Sequence, residues 1–381
     1  MNRREFLAAA AAGAALGAAG PIQIAPGGTL VIDGRRRFVL GLYDPPQVDD
    51  PWREVSEAGF QLLHIAATRE NFARCREHRL GCWVTLGSID PARPAADQDR
   101  IRRIVEEFRG EPALLAWETE DEPAFAWKMR GPRIPPERIV ATAEFIRRLD
   151  PAHPLYLNHA PVNLESTLRA YNAGADILAT DIYPVIPPGI REQYALWPDG
   201  EQGDLLNRTV SQVGQYAERL RRVAGPSRAV WMVLQAFAWE NLREKDRDPR
   251  MVLYPDEAQV RSMAFQSIVH GANGILFWGL ASTPRDAPLW PALKRVAREL
   301  ASLAPLLAEE PSSAHIGIEY RENGHSIDRG IEWTARRDGE DLLLVCVNAD
   351  KHPVDARLRG QSQTLEATFA PFEAKTLRMK R

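Results

Sequence analysis

The sequence predicts an α/β chain: a (β/α)8 TIM barrel followed by a small antiparallel β-domain of sandwich type. Three observations predict it. Eight short apolar runs, rich in β-branched and aromatic residues, alternate with longer amphipathic charged segments, the pattern of parallel strands covered by helices. No Gly-x-Gly-x-x-Gly fingerprint follows the first run, which disfavours a doubly wound dinucleotide-binding sheet. After Pro311 the texture changes to short alternating strands separated by turn signals. The domain boundaries expected are 1–20 for a leader, 21–311 for the barrel and 312–381 for the β-domain.

The N-terminus, MNRREFLAAAAAGAALGAAG, carries Arg3-Arg4 ahead of Phe6-Leu7 and an Ala/Gly run. It resembles a bacterial twin-arginine export signal, with cleavage near Ala19 and a periplasmic or secreted product. A chance arginine pair in an ordinary secretory signal, or a retained anchor, are the alternatives. The run is too short and too rich in alanine to span a bilayer, so no stable membrane span is expected after cleavage.

Next, GTLVIDGRRRFVLGLYDPP (28–46) reads as a hairpin turned at Asp33-Gly34. The barrel strands are expected at Phe38–Tyr43, Phe60–Ile65, Gly81–Leu86, Ala113–Thr119, Pro154–Asn158, Asp176–Thr180, Ala229–Gln235 and Gly274–Trp278. Helical segments fall between them, among them 97–110, 135–150, 210–225 and 255–272, with an eighth at 291–307. In 255–272, Val260, Met263, Ala264, Ser267 and Ile268 recur at three- and four-residue steps and mark a buried face. Two long Pro/Gly-rich loops, 124–136 and 184–206, follow strands at the end of a barrel where active sites sit.

Composition excludes several function classes. A net charge of −3 provides no basic field for nucleic acid. Three cysteines, Cys75, Cys82 and Cys346, form no disulfide framework and no zinc spacing; Cys75 and Cys82 could pair in an oxidising compartment, but Cys82 opens a buried strand, where a thiol is apolar filler. No cofactor and no metal are expected; Glu118, Glu120 and Asp181 could hold a cation only through oxygen ligands. The sequon Asn207-Arg208-Thr209 reads as chance in a bacterially exported chain, and oligomeric state is not indicated.

The chemistry concentrates in AWETEDEPAF (116–125), where Glu118, Glu120, Asp121 and Glu122 crowd the exit of the fourth strand. Like charges this dense are costly unless water, partners or a task compensate. Pro123 is expected to end the strand before Glu122, placing Glu122 on the rim. Glu120 taken alone reads as readily as a solvated loop charge or helix cap. The other strand ends carry Tyr43, Asp44, Asn158, His159, Asp181, Tyr183, Gln235, Trp239 and Trp278, hydrogen-bonding groups interleaved with rings. Sugars need both, apolar faces on rings and hydroxyls on carboxylates and amides, so a carbohydrate is the expected substrate. Each ring has a packing alternative.

In these segments the chain resembles the clan A glycoside hydrolases, retaining (β/α)8 enzymes. LVIDGRRRFVLGLYDPP is similar to their lead-in to strand one, WETEDEP (117–123) to their fourth-strand motif and DILATDIYP (176–184) to their sixth-strand segment. The resemblance implies that Glu122 is the general acid/base, that Asp121 occupies the place of an Asn that binds the 2-hydroxyl, and that Trp117, Tyr183 and Trp278 contribute to the sugar site. It also implies a strand-seven glutamate nucleophile, and here the chain departs: VLQAFAW places Gln235 in that region, and an amide is a poor nucleophile. Three readings stay open. Glu122 works with a second carboxyl, Asp181 or Glu120; or the substrate supplies its own nucleophile, oriented by Gln235, Tyr183 and Asp181; or the barrel binds glycan without cleaving it. A lyase or isomerase using the same carboxyls is a weaker option.

Overall fold

The computed structural model describes residues 20–126, 131–189 and 209–381. The twin-arginine segment, the sequon residues Asn207 and Arg208, and parts of both long loops lie outside the described residues.

The lead-in forms a three-stranded sheet, β1 (Gln23–Ile24), β2 (Leu30–Ile32) and β3 (Arg35–Arg37). The β2–β3 hairpin pairs Ile32 with Arg35 across Asp33 (φ 50°) and Gly34 (φ 73°). Two successive positive φ values make the turn whose twist matches the strands, and Gly supplies the second at no steric cost. Ile22, Leu30 and Ile32 pack among Val39, Leu62, Ile177 and Ala229, the residues that begin or nearly begin their barrel strands. The lead-in thus closes the N-terminal end of the barrel and leaves the opposite end as the mouth.

The barrel strands are β4 (Val39–Leu42), β5 (Leu62–His64), β6 (Gly81–Thr85), β7 (Leu114–Asp121), β8 (Leu155–His159), β9 (Ile177–Ile182), β10 (Ala229–Gln235) and β11 (Gly274–Trp278). All pairings are parallel, and β11 returns to β4 to close the sheet. Helices α1 (Pro51–Glu57), α2 (Arg69–Glu77), α3 (Pro94–Phe108), α4 (Pro136–Leu149), α5 (Glu165–Arg169), α6 (Gln212–Ala224), α7 (Glu257–Val269) and α8 (Leu289–Leu307) follow the strands in turn. Each strand is buried on both faces, which is why its run is apolar without alternation. On β10, Ala229, Trp231 and Val233 fill the barrel interior, while Val230, Met232 and Leu234 meet the helices.

The C-terminal strands are β12 (Gly317–Tyr320), β13 (Ile331–Asp338), β14 (Asp341–Asn348), β15 (Val354–Arg359), β16 (Thr364–Phe369) and β17 (Ala374–Lys380). They form two antiparallel sheets, β12-β15-β16 and β13-β14-β17, around Leu344, Cys346, Ala356, Leu358 and Phe369. The fold class is therefore the one the sequence predicts. Val345, Val347 and Ala374 leave that core and join the barrel's outer one. The contact is made on α7: Gln266 Nε2 donates to Glu332 (2.7 Å), His270 Nε2 pairs with the same carboxylate (2.8 Å), and Arg261, steadied by a fork onto Glu299 of α8 (2.7 Å for both bonds), donates to the Ala374 carbonyl. Sandwiched this way, α7 buries Ser262, Phe265 and Gln266 as well as the face the periodicity marked.

Cys75, Cys82 and Cys346 are buried free thiols, and Cys82 Sγ donates to the Ala113 carbonyl (3.3 Å). Among the described residues no helix is long and apolar enough to cross a membrane.

Candidate active site

The fourth strand builds the site. Its register against β8 shifts between Glu118 and Asp121, so the alternation of faces is broken by one residue. Strand β7 runs to Asp121, past the expected end at Thr119 but, as expected, short of Glu122. The shift turns Glu118 and Asp121 both toward the barrel mouth and sends Glu120 away from it. Glu120 accepts from the Ser88 backbone N–H (3.1 Å) and hydroxyl (2.9 Å), with Arg133 at 3.6 Å. It anchors the loop after β6 and does not face the mouth, which corrects its place among the catalytic candidates and removes it from any oxygen-ligand set with Glu118 and Asp181.

Glu122 follows the strand with φ 43°. A non-glycine residue in the left-handed region costs on the order of 1 kcal/mol. The conformation is held by its N–H on the Asn158 carbonyl (3.0 Å) and by its own carbonyl, which accepts from the Phe125 N–H (3.1 Å). The result carries the Glu122 carboxyl across the mouth to Asp181 on β9, and the two side chains are hydrogen-bonded to each other. Asp181 has the interior parity of Ile177 and Ala179 and is 6% exposed. Between these acids stands Asn158, whose Nδ2 donates to Asp121 Oδ1 (3.0 Å) and Asp181 Oδ1 (3.3 Å).

Glu118 forms the floor. Its Oε2 accepts from Thr85 Oγ1 (2.6 Å) and Trp83 Nε1 (3.2 Å), with His64 Nε2 at 4.0 Å. Tyr43 and Tyr156 share a 2.5 Å hydroxyl–hydroxyl bond beside it, and the Tyr43 ring meets Trp83 edge-on at 5.0 Å. Opposite lies an aromatic wall. Tyr183 stacks on Trp278 (5.4 Å, 28°), and Phe237 meets both edge-on, each at 5.0 Å. Trp239 closes the group, donating its Nε1 to the Tyr183 carbonyl (3.2 Å). Thr85 and Asp121 are exposed, so the mouth is open to solvent above the buried acids.

Crowding in a poorly hydrated mouth opposes ionisation. Burial, then the charge of Asp121, pushes Glu118 up to about 8. Burial and Asp121 push Glu122 up to about 7, against the opposing pull of the Asp181 hydrogen bond. Asp181 is raised well above the usual carboxylate range by burial and by Glu122, and Asp121, at the solvent-facing rim, is raised by partial desolvation of its carboxyl. His64 is pushed down to about 4 by burial, so it stands neutral beside Glu118 at pH 7.

Three other sequence candidates do not line the mouth. Trp117 faces the helical layer, fully buried, with Nε1 on Asp150 Oδ2 (2.8 Å). His159 has the same outward parity; it is fully buried against the Tyr171 ring (5.7 Å), and burial lowers it to about 3. Gln235 has interior parity but is fully covered. Its Oε1 accepts from the Val185 N–H (2.8 Å), while Nε2 donates to the Val185 (2.9 Å) and Phe237 (3.1 Å) carbonyls. The residue in the strand-seven position is therefore a clamp on the segment after β9. Tyr43, Glu118, Asp121, Glu122, Asn158, Asp181, Tyr183, Trp239 and Trp278 do gather at the mouth. Sequence reasoning missed Trp83, Thr85, His64 and Tyr156; counting parity along GCWVT would have placed Trp83 and Thr85 beside the fourth-strand acids. Among the described residues no group of three or more His, Cys, Asp or Glu side chains is arranged to hold a metal ion.

Solved structures share this architecture. A protein described as a glycoside hydrolase superposes with a TM-score of 0.57 at 12% identity, over 95% of this chain and 93% of its own. A glycoside hydrolase family 5 mannosidase from Rhizomucor miehei, in its E301A form, gives 0.52 at 11% identity, over 76% of this chain and 100% of its own. A family 30 subfamily 8 xylanase from Clostridium acetobutylicum gives 0.50 at 12%, over 95% and 98%. No protein-family model matches the chain, and no curated protein is similar to it in sequence. The fold is thus that of the (β/α)8 glycoside hydrolases, as the resemblance implies.

Proposed function

We propose that the chain is an exported glycoside hydrolase that cleaves O-glycosidic bonds of a polysaccharide or glycoconjugate, with Glu122 as general acid/base and Asp181 as the nucleophile in place of a strand-seven glutamate. The observation that carries this reading is the hydrogen-bonded Glu122–Asp181 pair beside a wall of stacked rings. Two carboxyls close enough to share a proton leave no room between them for the water that inversion needs at a spacing of roughly 6.5–9.5 Å. The pair also suits the proton count. The pair holds one proton at neutral pH; the shared bond favours it on Asp181 in the free protein, so catalysis needs it transferred to Glu122 as the substrate binds.

In the first step an Asp181 oxygen bonds to the anomeric carbon as the glycosidic C–O bond breaks, and the Glu122 proton passes to the departing oxygen. In the second, Glu122 takes a proton from water, the water oxygen bonds to the anomeric carbon and the Asp181 ester is released. Tyr183 and Trp278 offer apolar faces for the sugar ring. Export rests on Arg3-Arg4 and the Ala/Gly run behind it.

Intact-mass and peptide mapping after reaction with activated 2-deoxy-2-fluoro glycosides tests the assignment. A glycosyl adduct on Asp181 supports it; turnover with an adduct on another carboxylate removes Asp181 from the role. Gln235, an amide at the strand-seven position, favours a second reading, a barrel that binds glycan without cleaving it. Binding with no turnover of any aryl glycoside or polysaccharide would establish that one.

A further inference from the structure

His64 faces the mouth from the strand opposite Asp181. It ends β5 with the interior parity of Leu62, and in the closed strand order β5 lies four places from β9 in either direction. Its side chain is 30% exposed. The ring leans on Trp83 (5.2 Å) and Tyr43 (5.9 Å), and beside it Thr85 is open to solvent.

Counting hydrogens around the ring fixes which nitrogen carries one. Trp83 Nε1 can only donate, so Glu118 Oε2 is the accepting oxygen of its carboxyl, and the carboxyl's own proton belongs on the other oxygen. The Thr85 hydroxyl has a single hydrogen and gives it to the same Oε2 (2.6 Å). Toward His64 Nε2, 2.9 Å away, Thr85 Oγ1 has only lone pairs left. The ring must therefore donate there, and its hydrogen sits on Nε2. Burial keeps the imidazole neutral at pH 7, which leaves Nδ1 a bare lone pair. That nitrogen bonds to no described residue, and unlike both ring nitrogens of His159 it is not a covered atom. A neutral ring nitrogen accepts one hydrogen and offers none. A sugar hydroxyl supplies that hydrogen; a deoxy carbon or an ether oxygen does not.

We infer that His64 is a specificity residue of the mouth: held as the Nε2–H tautomer by Thr85 and Glu118, it accepts a free hydroxyl of the bound sugar at Nδ1. The inference rests on the proposed glycosidase reading and adds a required hydroxyl on the side of the mouth opposite Asp181. It also gives Glu118 and Thr85 a task that needs no contact with substrate, since they orient the ring that makes the contact.

Two measurements on the full chain test this. The first is long-range proton–nitrogen NMR of the histidine rings at pH 7, with the His64 signals identified by their loss in His64→Gln. A fixed Nε2–H tautomer is expected. A proton on Nδ1, or the averaged shifts of two exchanging tautomers, overturns the inference. The second screens 4-nitrophenyl glucosides, galactosides, mannosides and xylosides, as both anomers, and compares the one turned over with its monodeoxy analogues. Removing one particular hydroxyl should lower kcat/KM about tenfold in the wild type, the scale of one neutral hydrogen bond. The same removal should cost far less in His64→Phe, which keeps a ring against Tyr43 and Trp83 but has no nitrogen. Equal losses in both proteins at every hydroxyl defeat the inference and leave the hydrolase standing. If nothing is cleaved, the hydrolase reading falls, and calorimetric binding of the same sugars decides the role of His64 by the same comparison. A chain that neither cleaves nor binds any of them defeats both. Should His64→Phe fail to fold, the wild-type Nδ1 resonance decides: it should move when the parent sugar is added and stay in place with the deoxy sugar, and an unmoved signal overturns the inference.

Discussion

Glu122 at the end of strand β7 and Asp181 in strand β9 are hydrogen-bonded carboxyl to carboxyl across the mouth of the barrel. Two acids in contact cannot both ionise cheaply, so the pair retains a proton at neutral pH. A general acid near pH 7 requires this state, and it is produced by strands whose residues lie about 60 positions apart in sequence.

The pair sets a pH profile. The reaction needs one proton in the pair, on Glu122, with Asp181 ionised. The pair loses its first proton at about 7 and its last at a higher pH, because burial and Glu122 hold Asp181 well above the usual carboxylate range; above that second step the acid is lost and kcat/KM should fall. As pH falls and the pair becomes doubly protonated, the nucleophile is lost. A bell-shaped profile of kcat/KM, with its alkaline limb above about pH 7, is expected. An alkaline limb near pH 4–5, the range of an ordinary carboxyl, would contradict the assignment.

Gln235→Glu should not restore a strand-seven nucleophile. Gln235 donates to the Val185 and Phe237 carbonyls at 2.9 and 3.1 Å. A glutamate there would oppose oxygen to oxygen in a fully buried position. Loss of these donors should cost about 2–4 kcal/mol, read as a lower urea midpoint, and should loosen the Tyr183–Trp278 stack enough to change tryptophan fluorescence. A stable, more active variant would show that the clamp is dispensable.

Glu118→Gln should stabilise the protein at pH 7–8. The folded state raises this carboxyl from an ordinary value of 4.5 to about 8, chiefly by burial. The sign follows from linkage: stability is fully present below pH 4.5 and is lost as pH rises from there toward 8, because the unfolded chain ionises the group and the folded chain resists. Glutamine avoids that loss, and its oxygen can still accept from Thr85 and Trp83. A gain of about 2 kcal/mol at pH 7.5 is expected, vanishing near pH 4, measured by denaturant unfolding at both pH values. An equal effect at both would show that packing, not ionisation, governs the site.

The barrel was legible in the sequence because each of its strands is a buried run bounded by amphipathic helices, and burial on both faces leaves a strong compositional trace. The hairpin at Asp33-Gly34 was legible for a local reason, the turn chemistry itself. The site was legible only as far as strand ends can be located. Asp181, Tyr183 and Trp278 fall at regular strand ends and reach the mouth. Glu120 does not, since a register shift beside Glu118 reverses the faces, and nothing in WETEDEP announces a bulge. Trp117 and His159 failed on parity: each neighbours an inward residue, Glu118 or Asn158, and so must point outward. Gln235 has the right parity, and only the contact with Val185, 50 residues away in sequence, reveals it as covered.

The central claim is that Glu122 hands a proton to the leaving oxygen. The direct measurement compares wild type and Glu122→Gln on a series of aryl glycosides differing only in the acidity of the phenol. A leaving group that departs unaided needs no acid. The variant should therefore lose about 10²–10⁴-fold in kcat/KM on phenyl glycosides and far less on 2,4-dinitrophenyl ones. A loss that is the same across the series, or no loss at all, would contradict the role assigned to Glu122.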